Sequence, residues 1–259
     1  MGGRQRVTAM DDFSGKTAVV TGASSGLGLA AATLLAQRGA ALELLDISLE
    51  RLESTAEALR ATGAEVRAHG VDVTDSAAVA ATFSAIRRCD VLVNSAGIEG
   101  PAGPLESCDL DAVDRVLAVN VRGSLACAQE AILRMKEKGM GGAIVNVAST
   151  AGLLGSRRLG AYALSKAAVI SMTRSLALSL AATQIRVNAV CPGSIDSEMF
   201  DRTLASADPE AERRAMIALH PLGRLGKPME VAEAIAFLAS PAAAYITGVS
   251  LPVDGGRLA

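Results

Sequence analysis

The chain has 259 residues, half of them hydrophobic, with a formal net charge of -2 at pH 7, which suits one large α/β domain with a substantial core. It has no Trp, only 2% aromatic residues and interspersed charges of both signs. It therefore offers neither base-stacking platforms nor a basic footprint, so nucleic acid and anionic membrane surfaces are excluded as expected partners in favour of small molecules.

Cys89, Cys108, Cys127 and Cys191 are widely spaced without a C-x-x-C, and His69 and His220 lie far from them in sequence; neither a metal site nor a disulfide framework is expected. The start, MGGRQRVTAMDDFSGK, lacks the apolar core of a signal peptide, and no uninterrupted apolar run is long enough to span a bilayer. The expectation is a cytoplasmic protein with a flexible N-terminal extension over 1–14 and a single domain over 15–259.

From Lys16 onward, short Val/Leu-rich runs alternate with longer Ala/Leu-rich segments of helical period, the pattern of a parallel sheet wound by helices. The runs TAVV, ALELL, EVRAHGV, VLVN, AIVNV, RVNAV and SLPV predict about seven parallel strands. Helices are predicted to begin near Gly26, Leu49, Ser76, Leu110, Tyr162 and Pro228. The fold class is α/β, a single Rossmann-like doubly wound sheet with helices on both faces.

The first strand runs into TGASSGLG, where Gly22, Gly26 and Gly28 form G-x-x-x-G-x-G at a strand-to-helix turn. Lacking side chains, they let backbone amides and the helix N-terminus approach a pyrophosphate, with Ser24, Ser25 and Leu27 in the same loop. The second strand ends at Asp46, eighteen residues after Gly28, where a carboxylate can accept hydrogen bonds from a ribose diol. Ser25, Ile47 and Ser48 supply no cation for a 2′-phosphate, which favours NAD(H) over NADP(H). Asp46 could equally cap the next helix. After the third strand, Asp72, followed by Val73, could accept from an adenine amino group, and Thr74 or Asp75 could cap the helix beyond. Asn94, Ala96 and Gly97 end the fourth strand, at the carboxyl edge where doubly wound sheets bind ligands. Leu110 to Lys138 reads as one helix with Asn120 near its middle; such an Asn is solvated or back-bonded unless a local break turns it toward a site.

The stretch Ser149 to Lys166, STAGLLGSRRLGAYALSK, places a hydroxyl, a phenol and an amine close in sequence. On a helix, Tyr162 and Lys166 would stack about 5–6 Å apart at Cβ. A neighbouring cation favours phenolate, and bringing a tyrosine near neutral pH takes roughly 3–4 kcal/mol of local electrostatics. A Y-x-x-x-K alone is also an ordinary helix surface.

Together these residues resemble the short-chain dehydrogenase/reductase family over roughly residues 15 to 256. TGASSGLG looks like its cofactor loop, Asp72–Val73 its adenine contact, NSAG at 94–97 its N-N-A-G, and PGSIDSEM at 192–199 its P-G-x-x-x-T segment, with Pro192, Gly193, Ile195 and Ser197 toward the cofactor. Asn120, Ser149, Tyr162 and Lys166 match its catalytic tetrad in identity and order. The resemblance implies hydride transfer with Tyr162 as general acid/base, Lys166 lowering its pKa and holding the nicotinamide ribose, Ser149 orienting the substrate oxygen and Asn120 supporting a proton-relay water. Tyr162 and Lys166 thus count among both catalytic and cofactor-binding residues. It also implies a homotetramer. Ser95 and Ser197 replace the family's usual Asn and Thr, and the segment 72–90 is about one helical turn short.

Ser194 to Leu219 reads as an amphipathic lid, with Ile195, Met199, Phe200, Leu204 and Met216 toward a partly apolar pocket. Arg157, Arg158, Arg202, Arg213 and Arg214 are solvated or available to an anionic substrate. The expected activity is an NAD-dependent alcohol dehydrogenase or ketone reductase. The alternatives are a 3-oxoacyl-thioester (acyl-carrier-protein) reductase and, in another class, a non-catalytic NAD-binding scaffold or redox sensor.

Overall fold

The computed structural model describes residues 12–204 and 208–259. Its centre is a seven-stranded parallel sheet of order β3-β2-β1-β4-β5-β6-β7. The strands are β1 (Thr17–Thr21), β2 (Ala41–Asp46), β3 (Val66–Gly70), β4 (Val91–Asn94), β5 (Gly142–Val147), β6 (Ile185–Pro192) and β7 (Ser250–Val253). The helices are α1 (Gly26–Gln37), α2 (Leu49–Arg60), α3 (Ser76–Ala85), α4 (Leu110–Leu117), α5 (Ser124–Lys138), α6 (Ala151–Leu154), α7 (Gly160–Leu180), α8 (Glu198–Thr203), α9 (Pro209–Ala218) and α10 (Pro228–Ala239).

The strands read as continuous apolar runs because both faces are covered, and alternate residues divide between two cores. Ala18, Val20, Leu44 and Val93 pack with α1, α2 and α10 through Leu35, Leu52 and Ile235. Val19, Leu45, Leu92 and Ile144 pack on the opposite face with α3, α5 and α7 through Phe83, Ala131 and Ala177.

Local chemistry sets the helix ends. Asp75 caps α3 by accepting from the amides of Ala77 and Ala78 at 2.9 and 3.0 Å, and Asp109 caps α4 through Asp111 N. Gly139 ends α5 at φ 67°, where a Cβ would be strained. At α10, Glu230 accepts from the main-chain N of Lys227 at 2.8 Å, and the Arg186 guanidinium donates to the carbonyls of Leu238, Ala239 and Ser240 at its C-terminus, where a cation is favourable.

The chain is packed from Phe13, which is 2% exposed and donates from its N–H to Arg38 O at 2.8 Å. The body thus starts two residues before the expected boundary at 15; residues 1–11 of the expected extension lie outside the described residues. Leu110 to Lys138 is one continuous helical stretch, long and apolar enough by length and composition to cross a bilayer, yet half of its apolar window is buried inside the body, as in a core helix. At its middle Ala118–Gly123 forms a π-helical turn.

β1 and β4 are neighbours, whereas the chain after β1 first winds outward through β2 and β3. The winding reverses there, which opens a crevice at the carboxyl ends of the strands.

Candidate active site

A cavity of about 520 Å³ fills that crevice. Its floor is the glycine loop, in which Gly22 and Gly26 have φ of 64° and 55°. A Cβ on Gly22 would lie 2.8 Å from Ala96 Cα, whereas one on Gly26 would meet nothing within 4 Å: the first glycine permits close packing of two loops and the second leaves open space. Ser25 precedes α1 without a side-chain cap, so among the described residues no side chain caps the first-turn amides beside Gly26 and Leu27, which line the cavity. Gly28 does not line the cavity. A Cβ there would stand 2.1 Å from Gly22 O, so this glycine seats α1 against the end of β1.

Asp46 lines the far end of the cavity beside Ile47. Its carboxylate accepts from Ser24 N at 3.1 Å and from Ser48 N at 3.0 Å, which joins the two readings of this residue: it braces the glycine loop and the start of α2 while facing the cavity. Sequence reasoning missed a cation here. Arg51, in the first turn of α2, also lines the cavity and pairs with Glu198 of the lid at 3.3 Å. Asp72 and Val73 line the same end, and Asp72 accepts from Thr74 N and Oγ1 at 2.9 and 2.8 Å.

At the turn after β4, buried Thr21 accepts from the amides of Ser95 and Ala96, both at 3.0 Å. Ala96 and Gly97 line the cavity. Asn94 does not: it is 3% exposed, and its amide donates to Ser124 O and to Asn146 Oδ1, both at 3.0 Å. Asn146 in turn donates to Thr173 Oγ1 at 2.9 Å. This is a buried polar brace between β4, β5, α5 and α7 rather than a cavity wall. Among the described residues, Asn94 Oδ1 is a buried acceptor with no partner.

The π-turn rotates Asn120 inward, settling the ambiguity of a mid-helix Asn; such turns mark departures from regular helix that carry a role. Its Oδ1 accepts from Ile98 N at 2.8 Å, and its Nδ2 donates to Ile98 O at 2.8 Å and to Ser165 Oγ at 2.9 Å. Ser165 Oγ donates to Tyr162 O at 2.7 Å. Asn120 thus clamps the Ile98 loop to the first turns of α7, its side chain fully engaged and outside the cavity lining. Ser165 carries no sequence signal of its own, because only the fold brings it to Asn120.

Tyr162, Lys166 and Ser149 all line the cavity. Lys166 Nζ donates to Val147 O at 2.8 Å and sits 5.4 Å from the Tyr162 ring centroid. A Cβ on Gly97 would fall 3.2 Å from Asn120 Oδ1 and 3.5 Å from Lys166 Nζ, so glycine is needed for this approach. The electrostatic balance differs from the expectation that Lys166 lowers the phenol. Burial pushes Tyr162 above its ordinary value, the charge of Glu99 adds to that push, and hydrogen bonding from Ser149 opposes it. Burial likewise draws Lys166 down to about 8. Loss of water penalises both charged forms.

Pro192, Gly193, Ile195 and Ser197 line the opposite wall, with Met199, Phe200 and Met216 of the lid. Ser197 caps α8, its Oγ accepting from Phe200 N at 3.3 Å. Of the arginines, Arg158 pairs with Glu212, Arg213 pairs with Asp196 at 2.5 Å and Asp201 at 3.2 Å, and Arg202 lines the cavity.

A glycine turn and a Ser, Tyr and Lys thus line one crevice at the carboxyl ends of a parallel sheet, where doubly wound folds bind ligands. A family model described as enoyl-(acyl carrier protein) reductase matches residues 22–257. The chain belongs to the short-chain dehydrogenase/reductase family, whose relatives act on alcohols and ketones. It is 44% identical over 251 residues to cis-4-hydroxycyclohexanecarboxylate dehydrogenase of Sinomonas cyclohexanicum, covering 95% of this chain and 98% of that one. It is 39% identical over 248 residues to a 3-oxoacyl-[acyl-carrier-protein] reductase of Thermotoga maritima, covering 94% and 98%. The crystal structure of an NAD+-bound xylitol dehydrogenase superposes with a TM-score of 0.91 at 36% identity, covering 94% of this chain and 99% of that one.

Proposed function

We propose that this protein is an NAD(H)-dependent dehydrogenase or reductase that interconverts a secondary, cyclic alcohol and its ketone, with Tyr162 as general acid/base. The observation that carries the reading is the convergence of Ser149, Tyr162 and Lys166 at one end of a cavity whose other end presents Asp46. The site fits a dinucleotide: the uncapped start of α1 suits a pyrophosphate, the Asp46 carboxylate suits a ribose diol, and Lys166, Ile195 and Ser197 are available to the nicotinamide riboside. When bound, the dinucleotide supplies or accepts the hydride at the substrate's carbinol carbon.

The chain's own groups handle the proton. In reduction, the neutral Tyr162 phenol donates to the carbonyl oxygen that Ser149 Oγ orients; in oxidation, the phenolate takes the carbinol proton. A phenol held high by burial keeps its proton at neutral pH, so the donor that reduction needs is in place there, and the rate of oxidation gains with alkalinity. Asn120 acts by holding the Ile98 loop and α7 in register. A relay water near Lys166 is consistent with the two Nζ hydrogens that Val147 O does not use.

The thioester-reductase alternative is supported by the Thermotoga maritima relative, while Asp46 opposes the NADPH that reductive synthesis commonly uses. Assembly into homo-oligomers is supported by Leu133 of α5 and Leu164 and Leu178 of α7, which are exposed on two helices that cover the same face of the sheet. The test is a dinucleotide-absorbance scan of NAD and NADP against cyclic alcohols, polyols and hydroxyacyl thioesters, with Tyr162→Phe alongside. The mutant is expected to bind dinucleotide normally and to lose about 10²–10⁴-fold in turnover. Equal turnover in the mutant would remove Tyr162 from the mechanism, and thioester activity with NADPH would favour the alternative. Dinucleotide binding without turnover on any substrate would favour the scaffold.

A further inference from the structure

His220 follows α9 and is 3% exposed, and both of its ring nitrogens are engaged. Nδ1 lies 2.8 Å from Met216 O, and Nε2 lies 3.1 Å from Ser194 N. A carbonyl only accepts and an amide N–H only donates. The ring therefore carries its hydrogen on Nδ1 and accepts at Nε2, as a neutral imidazole of one tautomer. Gly193 makes room for it, since a Cβ there would stand 2.8 Å from Nε2. Ser194 belongs to the turn that lines the cavity, and Met216 reaches the same cavity from α9. On its other side this turn is laced to Gly226, with Gly226 N donating to Ser194 O at 3.0 Å and Asp196 N to Gly226 O at 2.9 Å. His220 is thus one link from the turn to the lid helix, beside the ion pair of Arg213 with Asp196.

We propose that His220 is a positioning residue that couples α9 to the dinucleotide-binding turn through the Ser194 amide. This rests on the dinucleotide reading of the turn. Without the ring, the Ser194 N–H loses its acceptor and α9 loses that tie to the turn. The surrounding charges are largely occupied with one another. Arg224 and Glu230, which line the small cavity beside the ring, form a two-pronged ion pair at 2.7 and 2.6 Å. The Asp254 carboxylate accepts from Gly256 N and Leu258 N, both at 3.0 Å. Arg257 donates to Ser194 Oγ at 3.3 Å, and on α9 itself Arg213 is paired with Asp196 and Asp201.

Two variants separate the parts of the idea. His220→Gln keeps a donor and an acceptor, and His220→Leu fills the space with neither. NADH affinity is measured by fluorescence titration. Hydrogen exchange is followed in the cofactor-free full chain for peptides covering 192–204 and 208–219. The wild type and the Gln variant are expected to bind alike. The Leu variant should bind about five- to tenfold more weakly, the worth of one hydrogen bond, and should exchange faster in both peptides together. Wild-type affinity in the Leu variant, or a Gln variant as weak as the Leu variant, would overturn the proposal. If the wild type bound neither NADH nor NADPH, the dinucleotide reading would fall. The exchange data would still decide the coupling: faster exchange in both peptides of the Leu variant upholds it, and unchanged exchange removes it.

Discussion

Asp46→Ser is expected to abolish a preference for NADH over NADPH. The Asp46 carboxylate lines the cavity in the position proposed for the adenosine ribose, so a 2′-phosphate would be brought close to it. At about 4 Å in a water-like dielectric each pair of unit charges costs about 1 kcal/mol, and the phosphate carries close to two negative charges. The penalty is therefore about 2 kcal/mol, roughly a thirtyfold discrimination. Any loss from the hydrogen bonds to Ser24 and Ser48 falls on both dinucleotides and cancels in the ratio. Arg51 adds a second lever, because Glu198 now neutralises it at 3.3 Å; Glu198→Gln should release it and improve NADPH binding a few-fold, as an exposed ion pair is worth up to about 1 kcal/mol. The assay is dissociation constants for NADH and NADPH in the wild type, both single variants and the double variant. A wild type that binds the two equally, or a Glu198→Gln ratio unchanged from wild type, would refute the electrostatic account.

Three further outcomes are expected. Burial lifts the Glu99 carboxyl from 4.5 to about 7, so the folded state keeps a proton that the unfolded chain has released. Stability should then fall as pH rises across that interval, and Glu99→Gln should flatten the fall in thermal melts. Parallel curves for the two proteins would contradict this. The same variant removes a negative charge that raises Tyr162, and should move the alkaline limb of the oxidation rate to lower pH. Asn120→Ala deletes three hydrogen bonds of 2.8, 2.8 and 2.9 Å, at about 1 kcal/mol each. It should cost about 3 kcal/mol in urea denaturation and lower turnover more than dinucleotide affinity; a loss below about 1 kcal/mol would show that the clamp is dispensable. Gly28→Ala would place a methyl 2.1 Å from Gly22 O and should cost about 1–3 kcal/mol while weakening dinucleotide binding. Wild-type stability in this variant would mean that α1 can shift at no cost.

The seven strands and the helix starts at Gly26, Leu49, Ser76, Leu110 and Pro228 were legible because their causes are local. A parallel strand covered on both faces must be apolar throughout, and glycines and capping carboxylates such as Asp75 mark where the chain turns. The short α3 could likewise be counted from the residues between Asp72 and Asp90. The candidate site was legible as a set of residue types in order, since Tyr162 and Lys166 need only one helical turn to meet.

What each of those residues touches was settled by packing between segments distant in the chain. Asn94 and Gly28 read as cavity residues from their motifs, but the sheet buries the first beneath the site and presses the second against Gly22. Asn120 faces inward because the helix inserts a π-turn there, and its partners lie at Ile98 and Ser165. Arg51 reaches the cavity beside Asp46 only once α2 folds against the sheet, which is why the reading of neighbouring residues found no cation. The balance at Tyr162 and Lys166 belongs wholly to the tertiary structure. Spacing puts a cation beside a phenol, but how much water the fold removes from the two groups is a property of the whole site rather than of any segment.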